Sequence, residues 1–336
     1  MPNCEIGNIA WYEDGNSISA GEPGIYHSYM ASLATVLNSL DDRFDPIWMM
    51  GSGAFAFRTF VNETFCPSAM SIFDWKGILP EAVEQAGYQC RYISRMWDEK
   101  NLEKERREQA ETAIIDSIDR GIGAVVWDVH DCEWGVIIGY DTDKKQYITL
   151  TNSGKRSNLP FQKLGKNGID ILSVAIPVER NDRSRTDIIN KSLKAALAHG
   201  EGKEWTDRPK YQNGLAAYDL WSTLFERWGL IVQAGNEKNL PKDIPQFSTY
   251  YAGHCYSARC YARDYLRMIS KENKALDPAI DSYTKVAELL KPVWDFFSLG
   301  NSPDLAVLQK FAQDIKQAGE MEKEGLDHIR AYLEEV

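Results

Sequence analysis

The chain has 336 residues, and with 43% hydrophobic and 26% charged residues it has the composition of an ordinary globular protein. The formal net charge of −11 argues against a surface that binds nucleic acid or an anionic membrane, because either partner needs clustered lysine and arginine. The length favours two domains over one.

The compartment is predicted from the cysteines and the N-terminus. Six cysteines are spread along the chain without a CxxC spacing, which predicts reduced thiols. The first residues, MPNCEIGNIAWYEDG, lack the basic start and apolar run of a secretory signal. No stretch reaches the apolar length of a membrane span. We therefore expect a cytoplasmic protein with no membrane partner.

The first strongly patterned segment opens with His27-Ser28. Apolar residues recur from Met30 to Leu37 at helical spacing, so the pattern predicts a helix with Ser28 in its first turn. The positive end of the helix dipole would stabilise an anionic nucleophile there. A simpler alternative is that His27 or Ser28 only caps the helix.

The next segments alternate between helix and strand. Gly51 and Gly53 could approach a phosphate, but no complete phosphate-binding motif follows, which favours a tight turn. Residues 77–88 predict a short helix with Pro80 at its start and Gly87 just past its end. Further predictions are a strand at 90–93, a charged helix at 98–120, strands at 121–129, 134–140, 147–150 and 169–176, and a turn at 159–164.

The predicted strands at 134–140 and 147–150 form a hairpin. Antiparallel pairing would bring Glu133, before the first strand, near Asn152, after the second. A zinc site at His130, Asp131, Cys132 and Glu133 is disfavoured, because adjacent side chains of an extended segment point to opposite faces. We expect no metal and no cofactor.

This hairpin resembles the second half of the papain-like (cysteine-proteinase-like) fold, in which a His opens one strand and an Asn follows the next. Gly139-Tyr140 and Asn152-Ser153-Gly154 match that pattern, and Glu133 stands where the His is expected. His27-Ser28, with Ser for Cys, and the segment 51–57 also resemble the N-terminal domain of the butirosin biosynthesis protein H family. The resemblance implies acyl transfer or amide hydrolysis.

The second half of the chain is predicted to be helical. Helical periods occur at 185–199, 214–228, 250–270, 278–297 and 303–334, with aromatic stripes that favour packing over a cofactor site. The predicted fold is therefore α+β: a papain-like domain at 1–180, then an all-α helical bundle at 185–336. An aromatic-rich bundle would also suit a homodimer face.

Two functional classes follow from the predicted site. Both expected catalytic residues depart from the papain pattern, and a carboxylate is a weak base for a serine hydroxyl. This favours a catalytically degenerate pseudoenzyme whose cleft binds a small-molecule, acyl or peptide-like ligand. Residues expected to line that cleft are His27, Asp128, Trp134, Gly51 and Gly53.

The alternative is an acyltransferase or amide hydrolase of a biosynthetic pathway, acting through an acyl-enzyme. Ser28 would be the nucleophile, Glu133 its base and Asn152 the group that orients the base. An acidic cleft with Asp128 would favour an amine ligand, although solvated carboxylates at a strand end explain the same residues.

Overall fold

The chain folds into two compact units. The computed structural model describes residues 3–13, 22–204, 210–271 and 274–335. A sheet unit comprises the described residues of the ranges 3–13, 27–49 and 74–183, and a helical unit those of 22–26, 50–73 and 184–335. Within the described ranges, no helix is long and apolar enough to cross a membrane.

The sheet unit is built on an antiparallel sheet. Its strands are β1 (Cys4–Glu5), β3 (Tyr88–Arg95), β4 (Ala124–His130), β5 (Glu133–Asp141), β6 (Gln146–Leu150), β7 (Arg156–Pro160) and β8 (Leu172–Arg180), whereas β2 (Phe60–Asn62) belongs to the helical unit. The strand order is β3-β8-β4-β5-β6-β7, and β1 also pairs with β5. The near-continuous apolar sequences of β4 and β5 fit their central places in this order.

A buried helix, α1 (Ser28–Leu40), packs against β4 and β5. Its residues from Tyr29 to Leu37 are all buried, which is typical of a helix at the centre of a domain. Neither glycine nor proline interrupts it, and the predicted helix at 30–37 is confirmed with its start at Ser28.

Two further helices flank the sheet. They are α3 (Trp75–Gln85) and α4 (Glu103–Asp119), and both pack against β3 and β8. Pro80 lies inside α3 and not at its start, which corrects the prediction, because the helix begins earlier with the Asp74 side chain as its N-cap. Gly87, with φ of +98°, follows the helix as predicted.

The helical unit contains five long helices and a small sheet. The helices are α5 (Arg185–Gly200), α6 (Leu215–Gln233), α7 (Ile244–Ile269), α8 (Asp277–Ser298) and α9 (Leu305–Glu335). Helices α5, α6 and α8 pack against α9, and α7 packs against α8. Strands β2 and β9 (Tyr211–Asn213) pair antiparallel.

The α+β class and the helical C-terminal region are thus as predicted, but the chain divides differently. The passage into the C-terminal helices at 183–184 falls close to the predicted boundary. Residues 50–73 were predicted to belong to the first domain and instead pack within the helical unit. Helix α2 (Pro46–Ser52), which the sequence pattern did not predict, carries the chain from one unit into the other.

Candidate functional site

Ser28 and Glu133 meet in the sheet unit although 105 residues separate them in the sequence. The Ser28 hydroxyl donates a hydrogen bond of 2.5 Å to Oε2 of Glu133. This is the short distance typical of a hydroxyl bonded to a charged carboxylate. Both side chains are half-buried, so neither is sealed inside the core. The structure therefore brings together two of the three residues predicted to form the site.

The first turn of α1 presents Ser28. Nδ1 of His27 accepts a hydrogen bond of 3.2 Å from the backbone N–H of Tyr29, so His27 is the N-cap, as one of the alternatives foresaw. This nitrogen caps the helix, which gives His27 a structural role, and its predicted ligand contact stays a prediction. The Ser28 N–H has no backbone acceptor among the described residues, as expected at a helix start.

The strand that carries Glu133 is fixed by an aromatic cluster. Trp134 is completely buried, and its ring lies 4.9 Å from that of Tyr29, 5.0 Å from Trp75 and 5.2 Å from Trp127, measured between centroids. Tyr29 follows Ser28 and Trp134 follows Glu133, so this contact links the two elements directly behind the site. Trp134 was predicted to line the cleft, but its burial makes it a packing residue.

Burial controls the ionisation of Glu133. Desolvation raises the pKa of its carboxyl above the ordinary value of 4.5, and the hydrogen bond from Ser28 opposes the shift only in part. Among the described residues no lysine, arginine or histidine forms an ion pair with Glu133. The site thus holds a carboxylate with more basic character than an exposed one.

Cys132 does not have the properties of a nucleophile. Burial first, and then the carboxylates of Asp128, Asp131 and Glu133, raise the pKa of its thiol. Reactive cysteines have the opposite environment, in which neighbouring positive charge stabilises the thiolate. Ser28 is therefore the better placed nucleophile of the two.

Asn152 does not join the pair. It is exposed in the turn between β6 and β7 and makes no hydrogen bond to Glu133 within the described chain. The reason lies in the register, because the pairing of β5 with β6 stops at Val136 and Leu150, before either residue is reached. The predicted orienting role of Asn152 is not supported by this geometry.

The other residues predicted to contact a ligand, Asp128, Gly51 and Gly53, each make contacts within the protein. The carboxylate of Asp128 binds the backbone N–H groups of Gly168 and Ile169. Gly51 lies in α2, where an added Cβ would come within 2.0 Å of the Tyr265 ring, so its small size serves packing. The Gly53 carbonyl accepts a hydrogen bond from Arg58.

Comparison with known proteins adds no family assignment. No protein-family model matches the chain, and no curated protein has a significantly similar sequence. Within the described ranges, no group of three or more histidine, cysteine, aspartate or glutamate side chains could hold a metal ion. The functional argument therefore depends on Ser28 and Glu133.

Proposed function

We propose that the sheet unit is a papain-like domain of the type found in the butirosin biosynthesis protein H family, and that it transfers or hydrolyses acyl groups through Ser28. The observation that carries this proposal is the 2.5 Å hydrogen bond between Ser28 and Glu133. A papain-like fold requires the nucleophile at the start of a central helix and the base at the start of a strand in an antiparallel sheet packed against that helix. Ser28 starts α1 and Glu133 starts β5.

The chemistry follows from the two side chains. Oγ of Ser28 attacks the carbonyl carbon of an ester, thioester or amide while its proton moves to Oε2 of Glu133. Glu133 then gives this proton to the leaving group, and the acyl group remains on Ser28 as an ester. An amine or water then attacks that ester and loses its proton to Glu133. Glu133 passes this proton to Oγ of Ser28 as the acyl group leaves the serine.

Two features of the site assist these steps. The raised pKa of Glu133 narrows the gap between its basicity and that of the serine hydroxyl. The N–H of Tyr29 is bonded to His27, but the N–H of Ser28 has no backbone acceptor among the described residues and could stabilise the oxyanion of a tetrahedral intermediate.

A second candidate function is ligand binding without chemistry. It is favoured by one observation, that Asn152 does not orient Glu133. In that case the cleft would bind a small-molecule or peptide-like ligand, and Glu133 would provide a negative charge for it.

Probe labelling separates the two functions. Purified protein would be treated with a fluorophosphonate and, separately, with iodoacetamide, and the modified residue located by peptide mass spectrometry. We expect the fluorophosphonate on Ser28, no label in Ser28→Ala and labelling at least about 100-fold slower in Glu133→Gln. Ser39→Ala is the matched control, because Ser39 lies in the same helix and its hydroxyl donates to the carbonyl of Val36.

The outcomes decide between the candidates. Labelling of Ser28 that depends on Glu133 supports acyl transfer. Equal labelling of wild type and Glu133→Gln contradicts the role of Glu133 as base. Absence of label at Ser28 refutes the enzymatic function, and ligand binding would then be tested by thermal shift with amine and peptide-like ligands.

A further inference from the structure

The hairpin that ends at Glu133 contains a large bulge. Val126 pairs with Gly135 and His130 pairs with Glu133, so the three residues of β4 from 127 to 129 lie opposite the single residue Trp134 of β5. Bulges bend a strand and re-aim the side chains beside them, and they are common next to active sites. The direction of the hairpin end that carries Glu133 is therefore set by this bulge.

Asp128 lies at the centre of the bulge. Its φ of +59° is in the left-handed region, which non-glycine residues enter uncommonly and in which aspartate is enriched. Its side chain is only 2% exposed. Oδ2 accepts hydrogen bonds from the backbone N–H groups of Gly168 at 2.6 Å and Ile169 at 2.8 Å. These contacts hold the bulge against the loop 165–170.

That loop is itself held in place by a buried arginine. Nη2 of Arg95 donates to the carbonyl of Gly165 at 2.7 Å and to Oδ1 of Asp170 at 2.8 Å. Arg95 is 1% exposed and belongs to the regular strand β3. The loop is thus a fixed support, and Asp128 is the residue that joins the bulge to it.

Two further features of the hairpin restrict the position of Glu133: the tight turn before it and the glycine two residues after it. Asp131 and Cys132 form the two-residue turn with φ of +52° and +54°, as in the tight turns typical of hairpins. An added Cβ at Gly135 would come within 2.3 Å of the side chain of Val129, so glycine is needed for the bulge to lie on β5.

We propose that Asp128 is a positioning residue that fixes the bulge of β4 and thereby holds the carboxylate of Glu133 against Ser28. This inference deepens the proposed function and rests on it for its catalytic consequence. Asp128 acts through the backbone and not on the substrate. Its loss would let the hairpin end shift, and a misplacement of about 1 Å is enough to slow a reaction by about 100-fold.

The test compares two substitutions at Asp128. Asp128→Gly accepts the left-handed φ but removes the acceptor, and we expect fluorophosphonate labelling of Ser28 to slow by at least about tenfold. Asp128→Asn keeps the acceptor and tolerates the same φ, and labelling should stay within about threefold of wild type. Both substitutions remove the same negative charge, so a difference between their labelling rates reflects the loss of the hydrogen-bond acceptor that holds the bulge.

A control separates positioning from general loss of stability. Ile114→Ala creates a cavity in the buried face of α4 in the same unit and should lower the unfolding temperature without slowing the labelling. Equal labelling by Asp128→Gly and wild type would overturn the proposal, as would equal slowing in Asp128→Gly and Ile114→Ala.

A second measurement keeps the positioning role testable if Ser28 proves unreactive. NMR titration of ¹³C-labelled glutamate carboxyls would follow Glu133, assigned by its loss in Glu133→Gln. The ionisable groups near Glu133 are its register partner His130 with Asp128, Asp131 and Cys132 on the hairpin, and His27 beside Ser28 at the start of α1. A displaced Glu133 changes both its hydration and its hydrogen bond to Ser28, so positioning predicts that its pKa departs further from the wild-type value in Asp128→Gly than in Asp128→Asn. An equal pKa in both variants would refute the positioning role, whereas an unreactive wild type would refute only the proposed function.

Discussion

Carboxylates that are buried or half-buried occur in both units, but they have different partners. In the helical unit Glu322 binds Arg259, with distances of 2.7 Å from both Nε and Nη2, and accepts a hydrogen bond from Tyr218. Glu204 lies between Arg58 and His199. In the sheet unit Glu133 accepts one hydrogen bond, from the neutral hydroxyl of Ser28.

The pKa values of Glu204 and Glu133 are shifted in opposite directions. Burial opposes the ionisation of Glu204, but the charge of Arg58 and the hydrogen bond from His199 outweigh it and hold its pKa well below the ordinary value. Burial raises the pKa of Glu133, and no cation among the described residues pairs with this carboxylate to offset the shift. A shielded carboxylate paired with a cation, such as Glu204, has a lowered pKa and stabilises the fold when it is ionised. A shielded carboxylate without such a pair, such as Glu133, has a raised pKa and destabilises the fold when it is ionised.

Breaking the buried ion pair of the helical unit should give the largest change. Glu322→Gln leaves Arg259 charged, fully buried and without its counterion, so the free energy of unfolding should fall by about 3–5 kcal/mol. Thermal and urea unfolding followed by circular dichroism would measure it. Asp314→Asn removes the ion pair with the exposed Lys310 on the same helix and should change the free energy by less than about 1 kcal/mol. If the two substitutions lowered the free energy of unfolding by similar amounts, the buried pair would contribute no more than the pair at Lys310.

The contacts of Glu204 with Arg58 and His199 should make the free energy of unfolding depend on pH. A folded-state pKa below the ordinary value stabilises the fold above the ordinary pKa, and this contribution is lost as the pH falls through the folded-state pKa. Glu204→Gln should therefore lower the free energy of unfolding by about 1–3 kcal/mol at about pH 7. The difference from wild type should shrink below about pH 4. A pH-independent difference would rule out the charge as its source.

Glu133 should show the opposite sign and the smallest effect. A raised folded-state pKa means that ionisation destabilises the fold above that pKa, and that the penalty disappears below the ordinary pKa of 4.5. Glu133→Gln should therefore raise the unfolding temperature by about 1–2 °C at about pH 7 and leave it unchanged at about pH 4. A lower unfolding temperature at about pH 7 would show that Glu133 stabilises the fold and is a structural residue.

The sequence predicted the elements that carry the pair better than the details between them. The apolar period from Met30 to Leu37 located α1, the apolar run at 134–140 located β5 and the alternation at 147–150 located β6, because these patterns are local. The bulge at Asp128 and the early end of the β5–β6 pairing depend on contacts distant in sequence. The exposed position of Asn152 was missed for this reason.

Local rules also missed features of the chain near position 50 and after position 155. Helix α2 is short, and it lies where the glycines at 51 and 53 favoured a turn. Strand β7 was not predicted, since its sequence, RSNLP, contains few residues that favour strands, and its end overlaps the predicted turn at 159–164. Pairing with β6 overrides that weak preference.

The most direct test of the central claim is the pH dependence of the rate at which fluorophosphonate labels Ser28. If Glu133 is the base, the rate rises with pH through an apparent pKa above 4.5, the direction in which burial shifts this carboxyl. Glu133→Gln should lose this limb. A limb that persists in Glu133→Gln, or a rate that does not change with pH, would contradict the assignment of Glu133 as the base of Ser28.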